Sequence, residues 1–251
     1  MKRLPIVQLV EQFHLLFLDH FGRKAEKNLY ALKGGCNLRF FLKSIRYSED
    51  IDIDIQIIRK DTLLNLVNRI LKSAPFEIVL RSKGMRIEEV IESKQTETTQ
   101  RWKIKLSTLD SSAFVNTKIE FSRRGIDELA DFGIIDSLIL QNYQLTPILV
   151  SHYAKESAFK QKVAALALRN ETQARDLFDL FHLLNMGVNE LLKENIPEEQ
   201  LKTAIENAQS LTFKEFLGQV VAFLPLDYQE QYTNEELWDN MVLKVTGALS
   251  K

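Results

Sequence analysis

The chain has few of the residues that staple a fold or bind soft metals. Its single cysteine, Cys36, excludes an internal disulfide and a cysteine-rich zinc site, and it fits a reducing compartment. The histidines His14, His20, His152 and His182 are too scattered for a His/Cys metal cluster. No nucleophile–His–Asp arrangement is legible. There is no run of about 18 apolar residues, so no membrane-spanning helix is expected. The opening stretch, MKRLPIVQLVEQFHLLFLDHF, is interrupted by Glu11, Gln12 and His14, and no small-residue cleavage site follows. It reads as an amphipathic helix, not a signal peptide, and the protein as cytoplasmic with no membrane partner. A net charge of −1 argues against a polyanion binder over the whole surface, while 33 Lys and Arg leave room for a local basic patch. Internal repeats and low-complexity tracts are absent from the sequence.

What is present is an ordinary globular composition, 45% hydrophobic and 27% charged over 251 residues, enough for one large domain or two small ones with a real core. Apolar periodicity predicts helices over 5–21 and 61–74, the second with Asp61 as its cap. Residues 50–58 alternate as a strand. Strand-like runs follow at 76–80, 86–93, 101–107 and 114–122, with KQTETTQ turning the second into the third. After Pro147 the character changes, and helices are expected over 155–169, 174–185, 198–209, 212–223 and 234–249. Gly187 marks one stop and Pro197 one start. The division expected is an α+β domain over 1–150 and a helical domain over 151–251.

The chemistry concentrates in RYSEDIDIDIQII, residues 46–58. On a strand, Ile51, Ile53 and Ile55 point to one face and Asp50, Asp52 and Asp54 to the other. A row of like charges in poor strand formers costs stability, which is the kind of local rule-breaking found at functional sites. Such carboxylates can converge on one divalent ion or on a close metal pair. Upstream, Gly34-Gly35 breaks the pattern just before an apolar helical segment. A glycine turn at a helix start presents backbone N–H groups to phosphate. Turn and strand together describe a nucleotide–metal site. Taken singly, each has a plainer reading, as a solvated strand face and a simple turn.

KGGCNLRFFLKSIRYSEDIDIDI resembles the Gly-Gly or Gly-Ser turn followed by Asp-x-Asp of nucleotidyltransferases of the DNA polymerase β superfamily. More narrowly it is similar to the AbiEii toxin group. The resemblance implies a nucleotidyltransferase-fold mixed sheet flanked by helices, followed by a C-terminal helical bundle domain. It places Lys33, Gly34, Gly35 and Ser48 at the nucleotide and makes Asp50 and Asp52 metal ligands. Cys36 departs from the pattern, standing where the group usually carries a hydroxyl residue. NTKIEFSRR offers Glu120 as the third carboxylate, with Asp54 competing for that role. ESAFKQKVAALALRNETQARDLFDLFHLL matches a second block of the group, putting Lys162, Arg169, Arg175, Asp176 and Asp179 in register. There Lys162 or Arg169 is expected to meet triphosphate or RNA backbone, Asp176 to orient Lys162 or cap its helix, and Asp179 to be a buried partner for an arginine.

The activity implied is Mg²⁺-dependent (or Mn²⁺-dependent) transfer of a nucleotide from an NTP to an acceptor hydroxyl. Asp50, Asp52 and Glu120 would hold the metal, with RNA, in particular the 3′ end of tRNA, as acceptor and a cognate antitoxin as protein partner. Arg81, Lys83, Arg86, Arg123 and Arg124 are candidate phosphate contacts. Two other readings stand beside this one. The fold could serve as a catalytically inactive binding module, or Arg175 and His182 could form the Arg…His pair of a HEPN-type ribonuclease.

Overall fold

The computed structural model describes residues 5–108, 114–126, 130–188 and 190–250. They divide into two compact units. The first comprises residues 1–41 and 48–153, and the second residues 42–47 and 154–251.

The first unit is a mixed seven-stranded sheet with helices. In chain order it contains α1 (Ile6–Gly22), β1 (Tyr30–Lys33), α2 (Gly34–Phe41), β2 (Ile51–Ile55), α3 (Lys60–Leu71), α4 (Ala74–Ser82), β3 (Met85–Gln95), β4 (Thr99–Thr108), β5 (Phe114–Ser122), β6 (Ala130–Ile134), α5 (Ser137–Asn142) and β7 (Leu149–Tyr153). The strand order is β3-β4-β5-β2-β1-β7-β6. β2 runs parallel to β5 and antiparallel to β1, so it lies at the centre with a neighbour on each side. Its isoleucines are fully buried with Trp102, Ile104, Ile119 and Phe121. Phe21 of α1 packs on this layer, its ring centroid 5.3 Å from that of Phe121 and 5.0 Å from that of Tyr30. Burying a layer of side chains this large on one face leaves the opposite face of β2 and β5 for charge, because strand side chains alternate.

The run at 76–80 is helical, not a strand. It forms the middle of α4, with Ser73 as N-cap accepting from the Phe76 N–H at 3.3 Å and Pro75 in the first turn. A cap plus an N-terminal proline outweighs the strand preference of a short apolar run. Asp61 is not the cap of α3 either: the N-cap is Arg59, with no side-chain bond, and Asp61 lies in the first turn, where its charge suits the helix dipole. The β3–β4 hairpin turns where KQTETTQ suggested. The short strands β1, β6 and β7 carried no sequence signal long enough to read.

The described residues of the second unit are helical apart from turns: α6 (Lys155–Leu168), α7 (Ala174–Asn185), α8 (Glu198–Ser210), α9 (Phe213–Gln219), α10 (Leu226–Tyr232) and α11 (Glu235–Leu249), with short 3₁₀ turns at Glu190–Asn195 and Val221–Phe223. Gly187 follows α7 in the left-handed region (φ 72°) and Pro197 is the N-cap of α8. Buried Phe159, Leu166, Leu177, Leu183, Phe216, Trp238 and Met241 form this unit's core, with Phe216 stacked on Trp238 at 4.8 Å.

Ser73→Ala is expected to destabilise the protein by about 1 kcal/mol, the usual cost of losing an N-cap, as read by urea unfolding.

Candidate active site

β2 is where the site is built. In the antiparallel pairing Lys33 lies opposite Asp52, and in the parallel pairing Glu120 lies beside Asp52. Two carboxylates therefore share one rung on neighbouring strands, a like-charge pairing that weakens a sheet. Gly34, directly after Lys33, has φ +66°, and a Cβ placed on it would lie 3.0 Å from Asp52 Oδ2. Glycine is required there twice, by the left-handed backbone and by the approach of the carboxylate. The same turn opens α2, whose first N–H groups have no acceptor within the helix. Gly35 is the second residue of that helix.

The carboxylates differ in what they touch. Asp54 is buried, accepting from Lys33 Nζ at 2.6 Å and from the Tyr153 hydroxyl at 2.9 Å. Lys33 is thus engaged with Asp54, and of the two candidates for the third-carboxylate position Asp54 is the more enclosed and Glu120 the more open. Asp50 pairs with Lys118 Nζ at 2.7 Å and Glu120 with Arg101 at 2.6 Å. Between them the Asp52 carboxylate makes no hydrogen bond or ion pair among the described residues. Burial raises its pKa, Glu120 and Asp50 add to the rise, and Lys33 and Lys118 oppose it.

Beneath the strand a buried polar chain fixes its entry. Ser48 Oγ donates to the Asp50 carbonyl at 2.8 Å, and Cys36 Sγ reaches the same carbonyl at 3.3 Å. Thr117 Oγ1 donates to the Glu49 carbonyl at 2.7 Å and is 2.7 Å from His14 Nε2. The Thr117 proton is used on a carbonyl that can only accept, so His14 Nε2 must carry the hydrogen that Thr117 receives. His14 Nδ1 then faces Cys36 Sγ at 3.5 Å as an acceptor. Burial lowers the His14 pKa to about 3 and pushes the Cys36 thiol well up, so both are neutral. In this arrangement Ser48 and Cys36 both reach the Asp50 backbone carbonyl. His14 escaped sequence reasoning because nothing local links it to residues 49, 50 or 117.

Asp50, Asp52 and Glu120 offer only hard carboxylate oxygens, the donor set that Mg²⁺ and Mn²⁺ take. The fit is carried by Asp52, a carboxylate short of positive charge. Among the described residues no three His, Cys, Asp or Glu side chains are arranged to close on one ion. In this arrangement Asp50 and Glu120 are turned to Lys118 and Arg101.

The second sequence block forms a separate network within the second unit. The resemblance implies that Lys162 or Arg169 meets triphosphate or RNA backbone and that Asp176 orients Lys162. Lys162 is buried, 2.9 Å from Asp176 and 2.7 Å from Asp179. Burial alone would lower its pKa, but the two aspartates overcome this and raise it. Asp179 also takes Arg46 at 2.9 Å, and these two cations outweigh burial to hold its pKa low. Asp176 Oδ2 is 2.8 Å from Arg169 Nε, and Arg169 is the half-exposed member of the group. Removing one partner of such a buried set leaves an uncompensated charge. Of the other cations singled out, Arg81 pairs with Glu77, Arg86 with Glu88, Lys83 bonds the Tyr143 and Gln144 carbonyls, and Arg123 bonds Gln100 and the Ile58 carbonyl. Arg124 is exposed.

A glycine turn against a carboxylate rung in this mixed sheet is the architecture of a nucleotidyltransferase. The chain belongs to the AbiEii nucleotidyltransferase toxin family: the family model, described as nucleotidyl transferase AbiEii toxin of type IV toxin–antitoxin systems, matches residues 16–246. Among solved structures it is similar to JHP933 from Helicobacter pylori, at 20% identity and TM-score 0.60 over 98% of this chain and 95% of that one. It is also similar to MenT4, a nucleotidyltransferase toxin from Mycobacterium tuberculosis, at 17% identity and TM-score 0.60 over 96% and 91%. No curated protein matches. None of the described helices is long and apolar enough to cross a membrane.

Two outcomes are expected. His14 is neutral when folded, with its pKa lowered to about 3, but ordinary when unfolded, so stability is full above pH ~6.5 and falls on acidification below it. Between pH 7 and 5 the loss traceable to His14 is about 2 kcal/mol, read as the difference between the wild type and His14→Gln in urea unfolding. Asp52 has the opposite sign for a carboxylate, its raised pKa costing stability as pH rises through it. Asp52→Asn should therefore stabilise the protein at pH 7 by about 1 kcal/mol, as replacements at strained functional sites do, with the gain shrinking at low pH.

Proposed function

We propose that the protein transfers a nucleotide from an NTP to a hydroxyl of an RNA acceptor, the 3′ end of tRNA being the leading candidate. The observation that carries this is the rung of Asp52 and Glu120 beside Gly34, with the Asp52 carboxylate making no hydrogen bond or ion pair among the described residues. Asp50, Asp52 and Glu120 would hold Mg²⁺ or Mn²⁺, which supplies charge neutralisation for the triphosphate and activates the attacking oxygen. Gly34 and Gly35 at the α2 N-terminus receive phosphate oxygens. Lys33 and Ser48 act one step back, Lys33 on Asp54 and Ser48 on the Asp50 backbone. Glu120, once released from Arg101, accepts the proton of the acceptor hydroxyl. That oxygen bonds to the α-phosphorus, the bond to the β-phosphate oxygen breaks, and pyrophosphate leaves. In the second unit the half-exposed Arg169 is a cation that could meet an anion, positioned by Asp176, which Lys162 in turn holds. Family membership supports a cognate antitoxin as protein partner.

The ribonuclease reading on Arg175 and His182 has no comparable support, because His182 Nε2 is 2.6 Å from the Leu42 carbonyl and donates to it. An inactive module would keep the fold yet transfer nothing.

Purified protein incubated with total tRNA, Mg²⁺ and each α-³²P-labelled NTP in turn should label RNA with one NTP. The Asp50→Ala/Asp52→Ala variant should give no label. Label on protein would replace RNA as acceptor, and the absence of both label and Mg²⁺–NTP binding would favour the inactive module.

A further inference from the structure

Sequence reasoning looked for the acceptor's contacts among arginines and lysines that the structure mostly commits elsewhere. The sheet offers a different set. On the face that carries Asp52 and Glu120, β4 presents Lys105, Lys103 and Arg101, and β5 presents Asn116, Lys118 and Glu120 in register with them. Lys103 stands directly opposite Lys118. Like charges facing across two strands destabilise a sheet unless an anion joins them. Lys103 is exposed and makes no hydrogen bond or ion pair among the described residues. Lys105 lies over the ring of Phe114 at 4.2 Å, and Phe114 is itself exposed. These lysines line a hollow of about 380 Å³ whose wall includes Asp50. Glu89, opposite Lys105, offsets one charge, and Ile91 supplies an apolar patch.

The hollow's position relative to the carboxylates assigns its occupant. Gly34 approaches the rung from β1, whereas β5 and β4 lie on the other side of β2. Phosphoryl transfer puts the attacking and leaving oxygens roughly in line, so an acceptor must enter opposite the triphosphate. We propose that the lysine row Lys103–Lys105–Lys118, with Phe114 at its far end, is the track for the single-stranded end of the nucleic-acid acceptor. The lysines take backbone phosphates and Phe114 stacks a base, the combination that binds single strands with little sequence preference. Lys118 has two roles in turn: it pairs with Asp50 in the protein as it stands, and it is released to phosphate when Asp50 takes a cation. This inference rests on the nucleotidyltransferase reading.

The test uses the full chain and a short fluorescein-labelled single-stranded RNA, with anisotropy read across a salt series and Mg²⁺–NTP affinity measured in parallel by calorimetry. Lys103→Ala/Lys105→Ala should weaken RNA binding about tenfold and flatten the salt slope by about 1.4, two contacts at roughly 0.7 each for a single strand. Phe114→Ala should weaken RNA binding while leaving that slope unchanged. Both variants should keep the wild-type NTP affinity. RNA affinity unchanged in the double variant overturns the proposal, as does an equal loss of NTP affinity, which would make the hollow the triphosphate site. Wild type that binds NTP but not RNA, or that labels a protein acceptor, overturns the track and leaves nucleotidyl transfer standing. Failure to bind NTP at all overturns both.

Discussion

The structure of the first unit turns on one repulsion. Asp52 and Glu120 occupy the same rung of parallel strands, with Asp50 one residue ahead of β2. Every nearby charge answers that crowding. Lys118 and Arg101 come from the β5 and β4 side to neutralise the outer carboxylates, Lys33 secures Asp54, and at Asp52 burial with the neighbouring carboxylates outweighs the pull of Lys33 and Lys118. The opposite face carries the stabilising side of the balance, with isoleucines and aromatic rings buried against α1. The separation of roles by face follows directly from the two-residue period of a strand.

Fixing such a row calls for stiffness beneath it. Thr117 and Ser48 give the Glu49 and Asp50 carbonyls their donors, and the Cys36 thiol lies within reach of both the Asp50 carbonyl and His14. Buried carbonyls need such partners, and a neutral imidazole that gives at Nε2 and receives at Nδ1 spans two of them. Cys36 has a plain structural place in this setting: it is a small buried thiol packed beside the Asp50 carbonyl and His14.

How far the sequence reads depends on the range of the physics. Gly34-Gly35 and the alternation from Asp50 to Ile55 are local, and they marked turn, strand and carboxylates correctly as to position. Glu120 was legible because Ile119 and Phe121 flank it with the right period. Its place beside Asp52 was not, because strand order is a property of the whole sheet. The run 76–80 misled because five apolar-rich residues look alike in either state, and Ser73 and Pro75 decided between them. The resemblance set Asp176 beside Lys162 and made Asp179 the partner of an arginine, and both contacts are present; the burial of Lys162 was not legible, because helical spacing along α6 does not show what packs on it. Lys103 and Lys105 carry no signal in the sequence, because only strand register sets Lys103 opposite Lys118.

The pairing of β2 with β5 also has a consequence in time. Asp52 and Glu120 are brought together by strands separated in the chain by α3, α4 and the long β3–β4 hairpin. Contacts at such separation form late, after the entropy of closing the intervening loop has been met. A chain emerging from the ribosome has its glycine turn and its first aspartates long before it has the rung. The carboxylate rung is therefore incomplete until β5 docks on β2, however early the glycine turn and the first aspartates are in place.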